Sequence, residues 1–302
     1  MKRSGRMTLR HYKIFIAVCD TMNMTSAAEG LFISQSAVSQ TIADLEQHYG
    51  VRLFERLSKK LYLTQAGKKL LGYARHMIRM NEEAERDMLL QNGHGLIRVG
   101  ASVTVGTHIL PKLVKRFQER SPDVRIEVVE HNTEKIEHFI RNDRIDIGLV
   151  EGEISASELL LKPFLRDELV LVCGAGHPLW EKGTIVPLEL EREDYLVREV
   201  GSGTRKTFED VMAANRLSWK AIWTCNNADT IKMAAVEGLG VTVISRRAVK
   251  AEAADGRLHT IEVEGLQFLR QFKIVIHKNK YLTEPMRRFM DVCMNLNKQE
   301  EV

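Results

Sequence analysis

The chain lacks any CxxC pair. Its four cysteines, Cys19, Cys173, Cys225 and Cys293, stand far apart, so metal-finger spacing is absent and reduced, mostly buried thiols are expected. No stretch approaches the roughly 20 consecutive apolar residues that a membrane helix needs. The basic start, "MKRSGRMTLRHYKIFIAV", has neither the unbroken apolar region nor the cleavage site of an export signal, which predicts a cytoplasmic protein without membrane contact. A GxSxG elbow, an HExxH pair and a Walker lysine are missing too. His108, His131 and His177 are isolated histidines, so the sequence predicts a protein that is not an enzyme and that uses no cofactor or metal.

What is present is ample apolar and charged content, 44% and 28% of 302 residues, enough for at least two domains with buried cores. The net charge is only +4, but it is unevenly placed. Residues 1–80 hold 13 Lys and Arg against five acids, so the basic excess lies wholly at the N-terminal end and the remainder is net negative. A local excess of this kind suits a phosphate backbone.

Within that basic segment, "LFISQSAVSQTI" places Ser34, Gln35, Ser36, Ser39 and Gln40 around an apolar stripe of Val38, Ile42, Leu45 and Tyr49. The spacing of four, three and four predicts a helix buried on one side. Its other side offers hydroxyls and amides where a solvated face would show Lys and Glu. A first helix is expected from about Leu9 to Cys19, with Tyr12, Phe15, Ile16 and Cys19 inward. Thr25 is expected to cap a short second helix, "SAAEGLF", and Ser34 to cap the third, which Gly50 ends. "VRLFERLSKKLYLTQAG" then predicts a β-hairpin with a basic tip. Three helices and such a hairpin make a winged helix-turn-helix.

From Thr64 a long helix is expected to about Gln91. Leu70, Ala74, Met77, Asn81, Ala84 and Met88 form a heptad seam on it that predicts pairing with a second subunit. "NGHG" follows as a linker. From Leu96 strands and helices alternate, which predicts an α/β fold with largely parallel sheets, divided into two lobes.

These features together resemble a LysR-type transcriptional regulator over essentially the whole chain. The residues that carry the resemblance are "AAEGLFISQSAVSQTIADLEQHYGVRLFER", "LTQAGKKLL", "PDVRIEVVEHNTEKI", "DIGLV" and "VEGLGVTVIS". The resemblance implies a winged helix-turn-helix over 1–64, a linker and dimerisation helix over 65–93, and a two-lobed α/β effector domain of periplasmic-binding-protein type over 94–302. Lobe I would take about 94–164 and 269–302, and lobe II about 165–268. Double-stranded promoter DNA would be read by Ser34, Gln35, Ser36, Ser39 and Gln40, with Thr25, Arg56, Lys59 and Lys60 at the backbone. Many relatives have Arg or Lys where Gln40 stands, so a bidentate guanine contact is absent here. The assembly implied is a homodimer through the linker helix, extending to a homotetramer.

Three polar segments would face the cleft between the lobes: Ser102 and Thr104, Asn132 and Thr133, and Gly201, Ser202, Gly203 and Thr204. Asn227 would join them from the opposite lobe. Hydroxyls and free amides at helix starts accept a small anion. "REVGSGTR" further resembles the branch of the family that governs sulfur assimilation and carbon fixation. That implies a sulfur oxyanion or related sulfur metabolite, with a phosphorylated carbon metabolite as the alternative. The other alternative is a periplasmic-type small-molecule binding protein without DNA-dependent function, which leaves the N-terminal pattern unexplained.

Overall fold

The computed structural model describes residues 7–57, 60–89, 95–154 and 156–296, and it divides into two compact units, with the main boundary along the chain at residue 93. The first unit is built from α1 (Leu9–Thr21), α2 (Met24–Gly30), α3 (Gln35–Tyr49), β1 (Phe54–Leu57), β2 (Lys60–Leu63) and α4 (Gln65–Leu89). Phe15, Val18, Ala27, Ala28, Val38, Ile42, Leu45 and Leu53 are buried together at its centre. The two alanines let α2 pack closely on α1 and α3.

Capping differs from expectation at one point. The N-cap of α2 is Asn23, whose Oδ1 accepts from the N–H of Thr25 at 2.8 Å and of Ser26 at 3.3 Å. An Asn side chain reaches the two exposed amides directly, so Thr25 lies inside the first turn as an exposed residue. Ser34 does cap α3, accepting from Ala37 N–H at 3.2 Å, and Gly50 ends it in a left-handed conformation with φ of 67°. Tyr49 is the member of the apolar stripe that escapes burial. It is 41% exposed, and its phenol lies 2.7 Å from that of Tyr12.

The hairpin β1–β2 pairs from Phe54 with Leu63 to Leu57 with Lys60. Glu46 of α3 accepts from the N–H groups of Leu53 (2.7 Å) and Phe54 (3.2 Å) and also meets Arg52, which fixes the hairpin against α3. Lys59, at the expected basic tip, lies outside the described residues. Thr64 caps α4 through Gly67 N–H at 3.0 Å. A Cβ at Gly67 would stand 2.3 Å from the Leu53 carbonyl, so glycine is required there. Along the expected seam, Ala74 is fully buried and Leu70 and Met77 pack on the unit's own core. Ala84 is exposed, and Asn81 donates to Glu85 at 2.8 Å. The seam is therefore divided: its first half completes this unit's core.

The second unit opens with β3 (Leu96–Ser102), α5 (Val103–His108), α6 (Leu110–Arg120), β4 (Arg125–His131), α7 (Thr133–Arg141) and β5 (Ile147–Glu151). A 16-residue strand β6 (Leu159–Gly174) follows. Then come β7 (Thr184–Ile185), β8 (Asp194–Arg198), α8 (Gly203–Ala214), β9 (Lys220–Cys225) and α9 (Ala228–Val236). The chain continues through β10 (Thr242–Ser245), α10 (Arg246–Ala254), β11 (Leu258–Val263), β12 (Phe268–His277) and α11 (Glu284–Met294). One sheet runs in the order β4-β3-β5-β12-β6-β11-β7, with β10 also on β6, and β8 and β9 form a second, parallel pair. Only β3, β4 and β5 are parallel neighbours around lobe I, whereas β12, β10 and β11 run antiparallel to β6.

The sheet is thus mixed, not largely parallel. The reason is that β6 and β12 each pass from one lobe to the other and pair along most of their length. Lobe I holds one core around Ile97, Phe117, Phe272 and Phe289, and a second on the opposite sheet face around Ile136, Ile140 and Val275. Lobe II is built in the same two-sided way around Tyr195, Phe208 and Met212 and around Val172, Leu196 and Ile231. All of β3, β4 and β5 end at the inter-lobe side, which brings the polar segments that follow them to one place.

Candidate functional site

On the first unit, Ser34, Gln35, Ser36, Ser39 and Gln40 are all exposed along one face of α3, opposite buried Val38, Ile42 and Leu45. Ser34 and Ser36 hydroxyls are 3.0 Å apart, and Gln40 Nε2 donates to Asp44 at 2.8 Å. That last bond holds the Gln40 amide along its own helix. Arg56 and Lys60 on the hairpin are exposed and line a groove of about 420 Å³ with Met22, Asn23, Met24 and Tyr62. The hairpin cations and the start of α2, where Thr25 sits, therefore share one side of this unit.

In the second unit a cleft of about 460 Å³ lies between the lobes. Of the nine residues expected to face it, Thr104, Asn132, Thr204 and Asn227 do. The others stand behind its wall. Ser102 is buried and donates to the Glu151 carboxyl. Thr133 donates to the Glu151 carbonyl at 3.0 Å. Gly201, with φ of +89°, accepts from Glu134 N–H at 3.1 Å, and a Cβ on Gly203 would stand 2.4 Å from the Glu151 carbonyl. The glycines let lobe II lie flush against lobe I. Ser202 is only 2% exposed, begins α8 without capping it, and its hydroxyl has no hydrogen-bond partner among the described residues. Asn132 and Asn227 are committed in part, since each caps its own helix through Oδ1.

Beneath the cleft lies a buried polar cluster centred on Arg270 of β12. Its Nε meets Asp167 at 2.7 Å, and its Nη atoms donate to Thr204 (2.9 Å) and Thr104 (3.3 Å). Glu151 stands 3.9 Å away, and Ser245 donates to the second Asp167 oxygen at 2.8 Å. Glu151 thus takes up the hydroxyls of Ser102 and Thr104 that the sequence offers to a ligand.

Two cations reach the cleft itself. Arg198 is bound in parallel fashion by Glu199 (2.9 and 3.1 Å), and Asn132 donates to Glu199 at 3.1 Å from the other lobe. Burial works against the Lys232 ammonium, but its bonds to Glu252 and Asp229 outweigh that and raise its pKa above the usual value. Burial, reinforced by Lys232, lowers the pKa of His108, which also lines the cleft. Burial raises that of Glu130, against the pull of Arg198. The result is a polar pocket whose charges are largely matched internally. An entering anion would compete with carboxylates for Arg198 and Lys232.

Polar strand ends in the sequence do not point to Glu151, Asp167, Arg198, Glu199, Lys232 or Arg270. A signal exists for two of them: Glu151 closes the otherwise apolar strand "IGLV", and Arg270 interrupts "QFLRQFKIVIH". A charged residue within a buried strand demands a partner.

Comparison with known proteins places both units. Residues 9–68 match the family described as bacterial regulatory helix-turn-helix protein, lysR family, and residues 91–297 match the LysR substrate binding domain. The chain is 32% identical over 287 residues to the HTH-type transcriptional regulator YeiE of Escherichia coli K12, covering 95% of this chain and 97% of that one. It is 31% identical to CysL of Bacillus subtilis, covering 87% and 89%. Among solved structures, the regulatory domain of Synechocystis CcmR in complex with 2-PG aligns at a TM-score of 0.63 with 25% identity, over 68% of this chain and 99% of that one. A full-length variant of OxyR from Pseudomonas aeruginosa aligns at 0.67 with 21% identity, over 97% and 96%.

Proposed function

The chain belongs to the LysR family of DNA-binding transcriptional regulators, which are not enzymes, and on that premise we propose that it answers to a small anionic metabolite bound in the inter-lobe cleft. The observation that carries this reading is convergence: Thr104 and Asn132 from lobe I and Thr204, Arg198, Asn227 and Lys232 from lobe II line one cleft of about 460 Å³. A ligand touching both lobes favours one lobe arrangement over others. Such a population shift alters how paired DNA-binding units meet their half-sites. Coupling of this kind is typically about 1 to 3 kcal/mol.

We favour a sulfur oxyanion, because "REVGSGTR" resembles the sulfur-assimilation branch of the family and the hydroxyls, amides and cations that line the cleft suit a compact group with several acceptor oxygens. A phosphorylated carbon metabolite is the second reading, supported by the 2-PG complex of the CcmR regulatory domain. The solute-binding alternative gives no role to residues 9–68. For DNA, Ser34, Gln35, Ser36, Ser39 and Gln40 read bases while Thr25, Arg56, Lys59 and Lys60 hold the backbone. The protomers pair through α4, where Asn81 and Ala84 remain accessible, and pairs assemble into tetramers.

A thermal-shift series with sulfite, sulfate, thiosulfate and 2-PG tests the effector, since a specific ligand stabilises the folded state by mass action. Stabilisation by a sulfur oxyanion alone supports the first reading, and by 2-PG alone the second. No shift with any of them at millimolar concentration overturns both.

A further inference from the structure

Phe32 is the most exposed large apolar side chain of the described residues, at 94%, and it occupies a left-handed backbone conformation with φ of 53°. Both features are anomalous for phenylalanine. Left-handed positions favour Gly or Asn, and a benzyl group in water gains nothing from folding. The backbone here is set by the turn between α2 and α3: Phe32 N–H donates to Glu29 (3.2 Å) and Ile33 N–H to Ala28 (3.1 Å). Leu31 and Ile33 on either side pack on the core, so the turn presents Phe32 outward two residues before the cap of α3. Its ring takes no part in the core of this unit.

We propose that Phe32 determines part of the operator specificity by contacting thymine methyl groups in the major groove. The inference rests on the reading that α3 enters that groove. The first residues of a recognition helix approach the base edges, and Phe32 adjoins Ser34, Gln35 and Ser36 at that end. The polar side chains there read donors and acceptors. The C5-methyl of thymine is the apolar feature that the groove offers, and an aromatic edge or face complements it. With Gln40 turned to Asp44, apolar contact gives the site a means of discrimination that a guanine-binding cation would otherwise supply.

The test uses full-length protein and an operator selected from a random duplex pool. Each thymine is replaced in turn by deoxyuridine, which removes only the methyl. Wild type is expected to bind about three- to fivefold more weakly at one or two positions per half-site. Phe32→Gly should bind normal and substituted operators equally, at the weaker level, and should melt no lower than wild type because glycine accepts this φ. Phe32→Gly that retains the same deoxyuridine sensitivity, or that binds like wild type, overturns the proposal, as does weakening that is uniform over all sequences. A Ser39→Ala/Gln40→Ala variant separates the two levels. If it changes base preference while Phe32→Gly does not, only the role of Phe32 fails. If neither does, the placement of α3 fails with it.

Discussion

Arg270 and Asp167 face one another on the paired crossover strands, Nε to Oδ2 at 2.7 Å, with both side chains almost fully buried. Water contributes little to either charge, so each depends on the other and on the hydroxyls of Thr204, Thr104 and Ser245 around them. Removing one partner leaves an uncompensated buried charge. Arg270→Met is expected to destabilise the protein by about 3 to 5 kcal/mol in urea unfolding. The double change Arg270→Met/Asp167→Leu should recover much of that loss. Equal destabilisation by single and double variants would show that the pair is not the controlling interaction.

Glu151 holds the Ser102 and Thr104 hydroxyls and places negative charge at the floor of the cleft. An anionic effector therefore meets an internal competitor. Glu151→Gln keeps the size and removes the charge, and calorimetric titration with the anion found by thermal shift should give an affinity at least about tenfold higher, the scale of one close charge in a partly screened site. Unchanged affinity would place the ligand away from this floor.

His108 is kept below its ordinary pKa of 6.5 by burial and then by Lys232; Asp229, Asp167 and Arg247 also act on it. The folded protein thus binds fewer protons than the unfolded chain. The stability this provides is complete above pH 6.5 and is lost as pH falls from 6.5 toward the lowered value. His108→Gln should flatten that part of the melting-temperature profile. Protonating His108 adds positive charge to the cleft, and protonating Glu130, whose pKa burial raises, removes negative charge. Both effects make anion binding tighter as pH falls below 6.5, the ordinary histidine value. Affinity that weakens over this range would contradict the placement of the anion beside these groups.

Much of the first unit is legible in sequence because its signals are local. The spacing of Val38, Ile42 and Leu45, the Ser34 cap and the Gly50 stop each involve residues within one helix. The cap of α2 is less legible because Asn23 and Thr25 are both good caps, and only the direction of the chain leaving α1 at Met22 decides for Asn23. The cleft is harder still, since its key contacts join distant residues. Arg270 bonds Thr104 across 166 positions and Asp167 across 103. Polar residues at strand ends can be read from the sequence, but whether Ser102 is left for a ligand depends on Glu151, 49 residues away. Alternation of strands and helices suggests a parallel sheet; the passages between lobes near residues 163–166 and 266–270 follow from the family resemblance, and no local signal marks β6 and β12 as the antiparallel strands that make them.

The division of labour on the DNA side predicts two separable phenotypes. Lys59 and Lys60 are neighbours in the hairpin sequence, and Lys60 is exposed, as is Arg56. If these cations neutralise phosphates, Lys59→Ala/Lys60→Ala lowers the slope of log affinity against log salt by about one to two units, with base preference unchanged. Gln40→Ala carries no change in charge, so its slope should equal that of wild type while the selected operator consensus shifts. A Gln40→Arg variant goes further. The new guanidinium can form the bidentate guanine bond that the amide, held by Asp44, does not offer, and selection should enrich guanine at one position per half-site by about tenfold or more. An unchanged consensus in both Gln40 variants, alongside a reduced slope in the lysine variant, would mean that α3 positions the protein without reading the base beneath residue 40.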